Sequence, residues 1–250
     1  MKKLKTVFFI VVLAFITLSV SAKKKYTLRV NPDVGNKIVQ NLSIVLDIDF
    51  DGKNFLTDLS MKFDMTNRAK KDSLFLFDVI CTEIKAKVDM DGMKMNYDSK
   101  NPGSDELSKQ MRITFGKITN KTIKFSLNQL GATSGITLPD GDEEDFPFEK
   151  SIYIATQLPK QAIGIGDSWT TKRVSDQSGV VNETKMTLVE VNEHGYKINV
   201  EGKILTGTKE VGYIRGFCVL DKKTCMTKII DLTSESMVLN TKMKSIIKYN

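Results

Sequence analysis

The fold is decided in the stretch from Ile84 to Asp98, which reads IKAKVDMDGMKMNYD. Apolar and polar residues alternate on both sides of Asp91-Gly92, the residue pair that a two-residue type I′ hairpin turn requires. If the chain folds back there, oppositely charged residues face each other on one face, and a slip of one residue would destroy this match. The stretch therefore predicts an antiparallel β-hairpin whose other face is formed by Ala86, Val88, Met90, Met93, Met95 and Tyr97.

A second hairpin is predicted around residues 51–54, which read DGKN. A four-residue loop would set Leu46 against Leu59 and would keep the apolar residues of both strands opposite each other. A two-residue loop would instead set Leu46 against Thr57 and would pair apolar with polar residues. We therefore expect the four-residue loop.

A third hairpin is predicted around Asn192–Gly195. A loop at this position sets Val191 against Tyr196 and Val189 against Ile198, so that apolar residues pair across the two strands. The residues between the strands are then expected to form an exposed turn.

Period-two alternation continues along nearly the whole chain, and helical periodicity is convincing only in the first residues. We expect an all-β fold of about 10 to 12 strands in long antiparallel meanders that form a strongly curved sheet, either open or closed and barrel-like. A short helix is expected at Ser104–Met111, with Ser104 as its cap. Further strands are expected at Tyr26–Val30, Leu74–Cys81, Thr122–Leu127, Ser168–Val174, Gly212–Leu220, Met226–Thr233 and Met243–Tyr249.

Composition divides the chain into four segments. Residues 1–22 are expected to be a signal peptide, and residues 131–147 a linker rich in glycine, proline and acidic residues. The linker separates an N-terminal β-meander half, 23–130, from a C-terminal half, 148–250. Their similar lengths favour a chain of two similar halves. The acidic run from Asp140 to Asp145 lacks the fixed ligand spacing of a known calcium loop and is expected to be solvated.

The first residues predict export. Three lysines among the first five residues precede an apolar run from Val7 to Ile16, and small residues lead to Ala22. The run is too short to span a bilayer as a helix, and the first cysteine is Cys81, so we expect neither a membrane anchor nor a lipoprotein. Cleavage after Ala22 would release the mature chain into the periplasm or the cell exterior.

The net charge of the mature chain is small. Removal of the three signal-peptide lysines reduces the 37 basic residues to 34, against 30 acidic ones, so that the net charge falls from +7 to +4. The lysines are interspersed with acids, which is typical of a solvated surface rather than of a nucleic-acid-binding patch. We expect no nucleic-acid partner and no membrane-spanning segment after cleavage.

No constellation of residues points to catalysis, a metal or a cofactor. His194 is the only histidine, so a serine or cysteine triad would have to use it, and it lies in a predicted turn. Cys81, Cys218 and Cys225 lack the paired spacing of a structural zinc site. We expect a protein without a cofactor that is not an enzyme. A hydrolase is the third alternative, because paired carboxylates are set by distances in space.

Cys218 and Cys225 flank a predicted hairpin end, which raises the question of a disulfide. A four-residue loop at 221–224 sets Leu220 opposite Cys225 and Thr227 opposite Cys218, so that the two sulfurs lie diagonally. Diagonal neighbours are about 7–8 Å apart, beyond comfortable disulfide reach unless a bulge shifts the register. Both the free and the bonded state stay open at this point.

The apolar face of the first hairpin predicts the lining of a cavity. Methionine fills irregular apolar gaps well, and we favour this over a thioether site for copper. The candidate lining residues are Val88, Met90, Met93, Met95 and Tyr97. Long strands with one apolar face suit a curved sheet that binds an apolar, lipid-like ligand or a partner protein of the envelope. The alternative is a structural or interaction module of the cell surface with a filled core and no ligand.

Several segments together carry a resemblance to one family. They are the signal peptide, the opening strand YTL at 26–28, MDGMKMNYDS at 90–99, the turn GDSW at 166–169 and the hairpin VLDKKTC at 219–225. They resemble exported Bacteroidota proteins of the domain of unknown function 6263 family. Cys225 departs from the glycine that the family leads one to expect, which favours a local role for Cys218 and Cys225. The resemblance implies export and lineage, and no established activity or catalytic residue.

Overall fold

The computed structural model describes residues 24–138, 156–174, 179–238 and 241–249. The predicted signal peptide and the acidic run of the predicted linker lie outside these ranges. Within them the chain is mostly β-structure with a single short helix, so the all-β prediction is confirmed. None of the helical structure described in these ranges has the length and apolar character that a membrane crossing needs.

The described residues form fourteen strands and one helix. The helix, α1, spans Glu106–Gly116. The strands are β1 Lys25–Tyr26, β2 Lys37–Phe50, β3 Lys53–Lys71, β4 Leu74–Met90, β5 Met93–Asp98, β6 Thr122–Asn128, β7 Thr133–Thr137, β8 Ile163–Gly164, β9 Ser168–Val174, β10 Val180–Asn192, β11 Gly195–Thr206, β12 Lys209–Leu220, β13 Thr227–Val238 and β14 Thr241–Tyr249.

Twelve of these strands form one antiparallel sheet, ordered β7-β6-β4-β3-β2-β14-β13-β12-β11-β10-β9, with β5 also paired to β4. Two meanders, β2 to β7 and β9 to β14, join where β2 pairs with β14. The two halves predicted from the sequence therefore share one sheet, which curls into a partial ring. The segment predicted as a linker contains β7, which pairs with β6. β1 and β8 form a separate two-stranded sheet.

The hairpin at Asp91-Gly92 is confirmed. Met90 pairs with Met93 and Ala86 with Tyr97, in the register that the alternation predicts. The φ angles of Asp91 and Gly92 are 52° and 89°, the left-handed values that a type I′ turn requires. Turn chemistry and hydrophobic pattern agree here, and they fix the register together.

The prediction of a four-residue loop in the second hairpin is wrong. Asp51 and Gly52 alone form the turn, with φ angles of 53° and 75°. Leu46 consequently faces Thr57 rather than Leu59. The register differs from the predicted one by two residues, so each side chain keeps its face of the sheet. The preference of Asp-Gly for a two-residue turn therefore outweighs one apolar–polar pair.

The predicted register of the third hairpin is confirmed next to the turn and is wrong further along the strands. Val191 pairs with Tyr196 as predicted. Ile198 pairs with Leu188 rather than with Val189, because β10 has an irregularity between Leu188 and Glu190. A bulge adds one residue to one strand and breaks the alternation. Leu188 is fully buried, whereas Val189 is 41% exposed.

Helix α1 begins one residue later than predicted and runs further. Asp105 is its cap, since the carboxylate accepts a hydrogen bond from the backbone N of Ser108 at 2.9 Å. An aspartate cap also places negative charge at the positive end of the helix. The predicted cap, Ser104, lies outside the helix.

The first predicted strand is shorter than expected because its residues leave the sheet. β1 ends at Tyr26, and the next apolar residues, Leu28 and Val30, are fully buried in the core. Arg29 lies between them and donates hydrogen bonds to the carbonyl groups of Pro159 and Lys160. The segment after β1 is thereby tied to the chain that precedes β8.

The core lies on one face of the large sheet, here called the inner face. Leu59 and Ile44 are cross-strand neighbours on this face of the N-terminal meander, and Cys218 and Ile230 are neighbours on that of the C-terminal meander. Apolar residues outside the large sheet complete the same cluster, among them Leu28, Val30, Ile118, Leu158, Ile163 and Met226. One core therefore spans both meanders.

Candidate functional site

The C-terminal part of the inner face contains a cavity, here called the inner cavity. It encloses about 90 Å³, or about 800 Å³ together with its open mouth. Its lining is predominantly apolar with a few polar groups, as is typical of small-ligand pockets. Five consecutive strands, β10 to β14, contribute its apolar lining, which includes Met186, Val200, Ile214, Ile230, Leu232 and Ile247.

Glycines leave the floor of the inner cavity without side chains at two positions. Gly216 lies opposite Val200 on one side and Leu232 on the other, and both neighbours line the cavity. Gly202 lies in the same way between lining residues of β10 and β12. Glycine inside a strand often marks a place where a ligand or another backbone approaches closely. Both positions lack side chains within an otherwise apolar face.

Polar groups form one wall of the inner cavity. The Thr156 hydroxyl donates to Cys218 Sγ at 3.5 Å and lies 3.4 Å from the Thr227 hydroxyl. The backbone N of Thr156 donates to the same Thr227 oxygen at 3.3 Å. Hydroxyl–hydroxyl bonds are usually 2.5–3.0 Å long, so the Thr156–Thr227 contact is loose. Burial raises the pKa of the Cys218 thiol to about 11, and the thiol therefore stays neutral.

The sole tryptophan lies beside the inner cavity. Trp169 pairs with Met186 across β9 and β10, and its Nε1 donates to the carbonyl oxygen of Gln157 at 2.9 Å. Both neighbours line the cavity. In the turn before β9, the Asp167 carboxylate accepts a hydrogen bond from the backbone N of Gly164 at 2.8 Å. This turn starts β9 as the sequence predicts.

A row of apolar side chains crosses the inner face near one end of the sheet. Met93, Met90, Phe55, Ile48 and Met243 are successive cross-strand neighbours on β5, β4, β3, β2 and β14, and we call them the methionine row. Met93 is 62% exposed and Met243 38%, and the other three are half-buried. Contiguous apolar surface of this kind marks binding sites on soluble proteins.

The methionine row and the inner cavity belong to the same face. Ile48 of the row, Leu46 and Ile44 follow one another at every second position of β2 and so point to the same side. Ile44 in turn pairs with Ile247, which lines the cavity. An apolar path therefore leads along β2 from the exposed row to the cavity.

The five residues predicted to line a cavity separate into two groups. Met90 and Met93 belong to the methionine row. Met95 and Tyr97 are buried, and the Tyr97 ring packs against a phenylalanine of α1 with 5.4 Å between ring centroids. Val88 is half-buried beside Met95. Within the part of the chain that the structure describes, none of the five lines the inner cavity.

The predicted register at Cys218 is wrong. Cys218 pairs with Ile230 and Leu220 with Thr227, because the pairing shifts by one residue between Val219 and Leu220. Residues 221–226 connect the two strands in place of the predicted four-residue loop. The Asp221 carboxylate organises this connection by accepting hydrogen bonds from the backbone N atoms at positions 223 and 224.

The disulfide considered from the sequence is not formed, and all three cysteines are free, buried thiols. Cys218 lines the inner cavity, whereas Cys225 lies in the connection after β12 with a φ angle of 51°. Glycine adopts this left-handed conformation readily, which explains the expectation of glycine at that position. Burial raises the pKa of the Cys81 thiol to about 12, so it too stays protonated.

His194 lies in an exposed turn, as predicted. Its Nε2 is 3.7 Å from Oε1 of the neighbouring Glu193, and both side chains are mostly exposed. In the described ranges, no group of three or more histidine, cysteine or acidic side chains is arranged to hold a metal ion. The inner cavity offers mainly apolar contacts, and its polar lining consists of hydroxyl groups, Asn182, Gln157 and Arg173.

Sequence reasoning missed most of the inner cavity. Its lining comes from six strands, β9 to β14, and from Thr156 and Gln157, which lie in the segment before β8. The sequence does contain one indication of the cavity, because Gly212 and Gly216 interrupt an otherwise apolar strand pattern. Isolated glycines of this kind indicate close backbone approach, and they point to the strand where the floor is bare.

Among solved structures, the chain is similar to one described as lipid–protein interactions in lipovitellin, with a TM-score of 0.57 and 8% sequence identity. The match covers 87% of this chain and 25% of the lipovitellin chain, so this chain spans about a quarter of that one. At this identity the likeness shows the fold alone. No curated protein matches the chain.

The model of a family of unknown function, DUF6263, matches residues 147–246. This range includes the strands from β8 to β13 and most of β14, which supply the apolar lining of the inner cavity. The match confirms the family indicated by the turns and hairpins of the sequence. Over residues 147–246, the chain is thus similar to the DUF6263 family.

Proposed function

We propose that the chain is a non-enzymatic binding protein whose inner cavity receives the apolar chain of a lipid-like ligand. The observation that carries the proposal is the bare floor of the cavity, where Gly216 and Gly202 interrupt a surface of Met, Val, Ile and Leu side chains. A protein core normally fills such space with side chains, because voids forfeit dispersion contacts. A ligand chain would restore these contacts.

The shape of the apolar surface favours a chain rather than a compact ligand. The volume of about 90 Å³ is well below the roughly 300–1,000 Å³ of pockets that hold a whole ligand, so the cavity would hold only part of one. A longer apolar chain would continue along Leu46 and Ile48 of β2 to the methionine row. Burial of apolar surface contributes about 25 cal/mol per Å², so the half-buried residues on this path add affinity.

The fold comparison supports the proposal to a limited degree. The lipovitellin structure concerns lipid–protein interactions in that protein, and its fold is similar to this one. Because fold does not fix function, the cavity and the apolar path carry the proposal.

The side-chain chemistry favours binding over catalysis. The pKa of the Cys81 thiol is raised to about 12 and that of Cys218 to about 11, and a neutral thiol is a poor nucleophile. His194 is exposed and far in sequence from both. We also propose that the mature protein acts in the periplasm or outside the cell, as the first 22 residues indicate.

A plug in the cavity tests the proposal. Ile214→Trp adds bulk to the lining, and Val219→Trp places the same side chain on the opposite face of β12. Binding of a fluorescent polyene fatty acid would be measured by titration of wild type and of both variants. We expect Ile214→Trp to weaken binding at least tenfold and Val219→Trp to leave it unchanged. Equal affinities for all three proteins would contradict the proposal.

A partner protein is a second candidate occupant of the methionine row, since Met93 and Met243 are exposed. Extraction of the protein purified from its native envelope distinguishes the two. Co-purified lipid supports the proposal, whereas a lipid-free protein held in a stoichiometric complex favours the partner.

A further inference from the structure

A second cleft lies next to the inner cavity, at the start of β2, and we call it the polar cleft. Its volume is about 450 Å³. The lining differs from that of the inner cavity because it is largely polar and charged. The residues used below are Asp33, Gln40, Asp221, Lys223, Thr227 and Lys228.

The polar cleft forms the gap between the first residues of β2 and those of β13. Ile38, Val39 and Gln40 of β2 line it, as do Thr227 and Lys228 of β13. Further along, both strands pair with β14, where Tyr249 lies opposite Leu42 and Ile230.

Gln40 is the reason to assign a ligand to this cleft. Its side chain is 3% exposed, and its Nε2 donates to the carbonyl oxygen of Thr227 at 3.3 Å, across the gap. Its Oε1 is buried and has no hydrogen-bond partner among the described residues. Buried polar atoms are nearly always satisfied, because an unpaired one costs about 1–3 kcal/mol. The cleft therefore presents a buried acceptor that lacks a donor.

The charged side chains around the cleft limit the net charge of a ligand group that could donate to Gln40 Oε1. Lys223 Nζ pairs with Asp33 Oδ2 at 2.6 Å. The Asp221 carboxylate accepts three hydrogen bonds within its own turn, two of them from backbone N atoms. Burial by itself would raise the pKa of Asp221, but these hydrogen bonds bring it below its ordinary value. The two acids, Asp33 and Asp221, are thus balanced by the two lysines that line the cleft, Lys223 and Lys228, which favours a ligand group without a strong net charge.

The linings of the polar cleft and the inner cavity meet at Thr156 and Thr227. Thr227 lines the cleft, Thr156 lines the cavity, and their hydroxyl oxygens are 3.4 Å apart. The backbone N of Thr156 also donates to the Thr227 hydroxyl oxygen at 3.3 Å. A largely apolar space and a polar space thus adjoin at this pair of residues.

We propose that the polar cleft receives the headgroup of the same ligand whose apolar chain enters the inner cavity, and that a hydroxyl or amine of this headgroup donates to Gln40 Oε1. The inference rests on the proposed function and specifies its ligand class: an amphiphile with an uncharged or zwitterionic headgroup that carries a hydrogen-bond donor. A simple hydrocarbon or ester would fill the inner cavity but would donate no hydrogen bond to Gln40 Oε1.

Two probes with the same apolar chain test the inference. Monopalmitoylglycerol carries hydroxyl donors, and methyl palmitate carries none. We expect the wild-type chain to bind monopalmitoylglycerol about tenfold more tightly, the ratio that one hydrogen bond of about 1.4 kcal/mol gives. In Gln40→Leu the ratio should fall to about one while the affinity for methyl palmitate is kept. Gln161→Leu, which changes an exposed glutamine outside both spaces, should keep the wild-type ratio.

The outcomes separate this inference from the proposed function. If neither probe binds the wild-type chain, the proposed function itself fails. If both bind equally well, or if Gln40→Leu keeps the tenfold ratio, lipid binding stands and the headgroup assignment is overturned. Binding of free glycerol as strong as that of monopalmitoylglycerol would also overturn it, since the cleft would then act without the cavity. Thermal unfolding of Gln40→Leu confirms that the variant is folded.

Discussion

Gly216 of β12 lies directly opposite Val200 of β11, so a position without a side chain faces a residue that lines the inner cavity. The φ angle of Gly216 is 148°, and a Cβ atom added there would lie 2.0 Å from the carbonyl oxygen of Asp231. Backbone conformation and close approach of β13 both exclude a larger residue. The bare floor of the cavity is therefore built into the sheet.

Substitution of this glycine should be costly. Gly216→Ala introduces backbone strain and a clash with β13, and we expect it to lower the free energy of unfolding by about 2–4 kcal/mol. Gly116→Ala is the matched control, because its added Cβ would meet nothing within 4 Å. Urea denaturation of both variants gives the values. A Gly216→Ala protein as stable as the control would show that the position is not constrained.

Asn67 anchors the segment that forms the rim of the polar cleft. It is fully buried, and its Nδ2 donates to the carbonyl oxygens of Pro32 and Asp33 at 3.1 Å each. Asn67→Ala should destabilise the protein by about 2–3 kcal/mol, since two buried acceptors lose their donor. Asn96→Ala, at an exposed position of β5, should change the stability by less than about 0.5 kcal/mol. Thermal or urea unfolding of the two variants tests this difference.

The Cys81 thiol should make stability fall with rising pH. Its pKa is raised by burial from 9.0 to about 12, so the folded protein holds the proton where the unfolded chain releases it. The thiol's contribution is fully present below about pH 9 and is lost as the pH rises towards about 12, by about 1.4 kcal/mol per pH unit. Cys81→Ala removes this dependence. Urea midpoints of the wild type and the variant, compared between about pH 9 and about pH 11, should therefore converge, and parallel curves would contradict the prediction.

The sequence predicts local structure well where two signals agree. At Asp91-Gly92 the turn chemistry and the alternation require the same register, and all six predicted pairs are present. At Asp51-Gly52 the turn chemistry favours a two-residue turn, whereas the apolar pattern favours a longer loop that avoids pairing Leu46 with Thr57. The structure has the two-residue turn. At Val189 a bulge changes the face that a residue occupies, and nothing in the local pattern indicates it.

The sites depend on relationships that a single sequence does not contain. The inner cavity combines six strands with Thr156 and Gln157 from a segment outside the sheet. The polar cleft combines the first residues of β2 and β13 with the connection after β12, which are far apart in sequence. Met90 and Met93 are on the correct face but lie at its exposed end, because the sequence shows alternation and not distance from the core.

Trp169 offers the most direct test of the central claim that the inner cavity holds an apolar chain. It is the only tryptophan of the chain, and it pairs with Met186 of the lining. Bromine quenches tryptophan fluorescence only at short range. Titration with bromine-labelled stearic acid should quench Trp169 saturably, and unlabelled stearic acid should reverse the quenching by competition. Binding of stearic acid without quenching by the labelled form would place the chain elsewhere and would contradict the account.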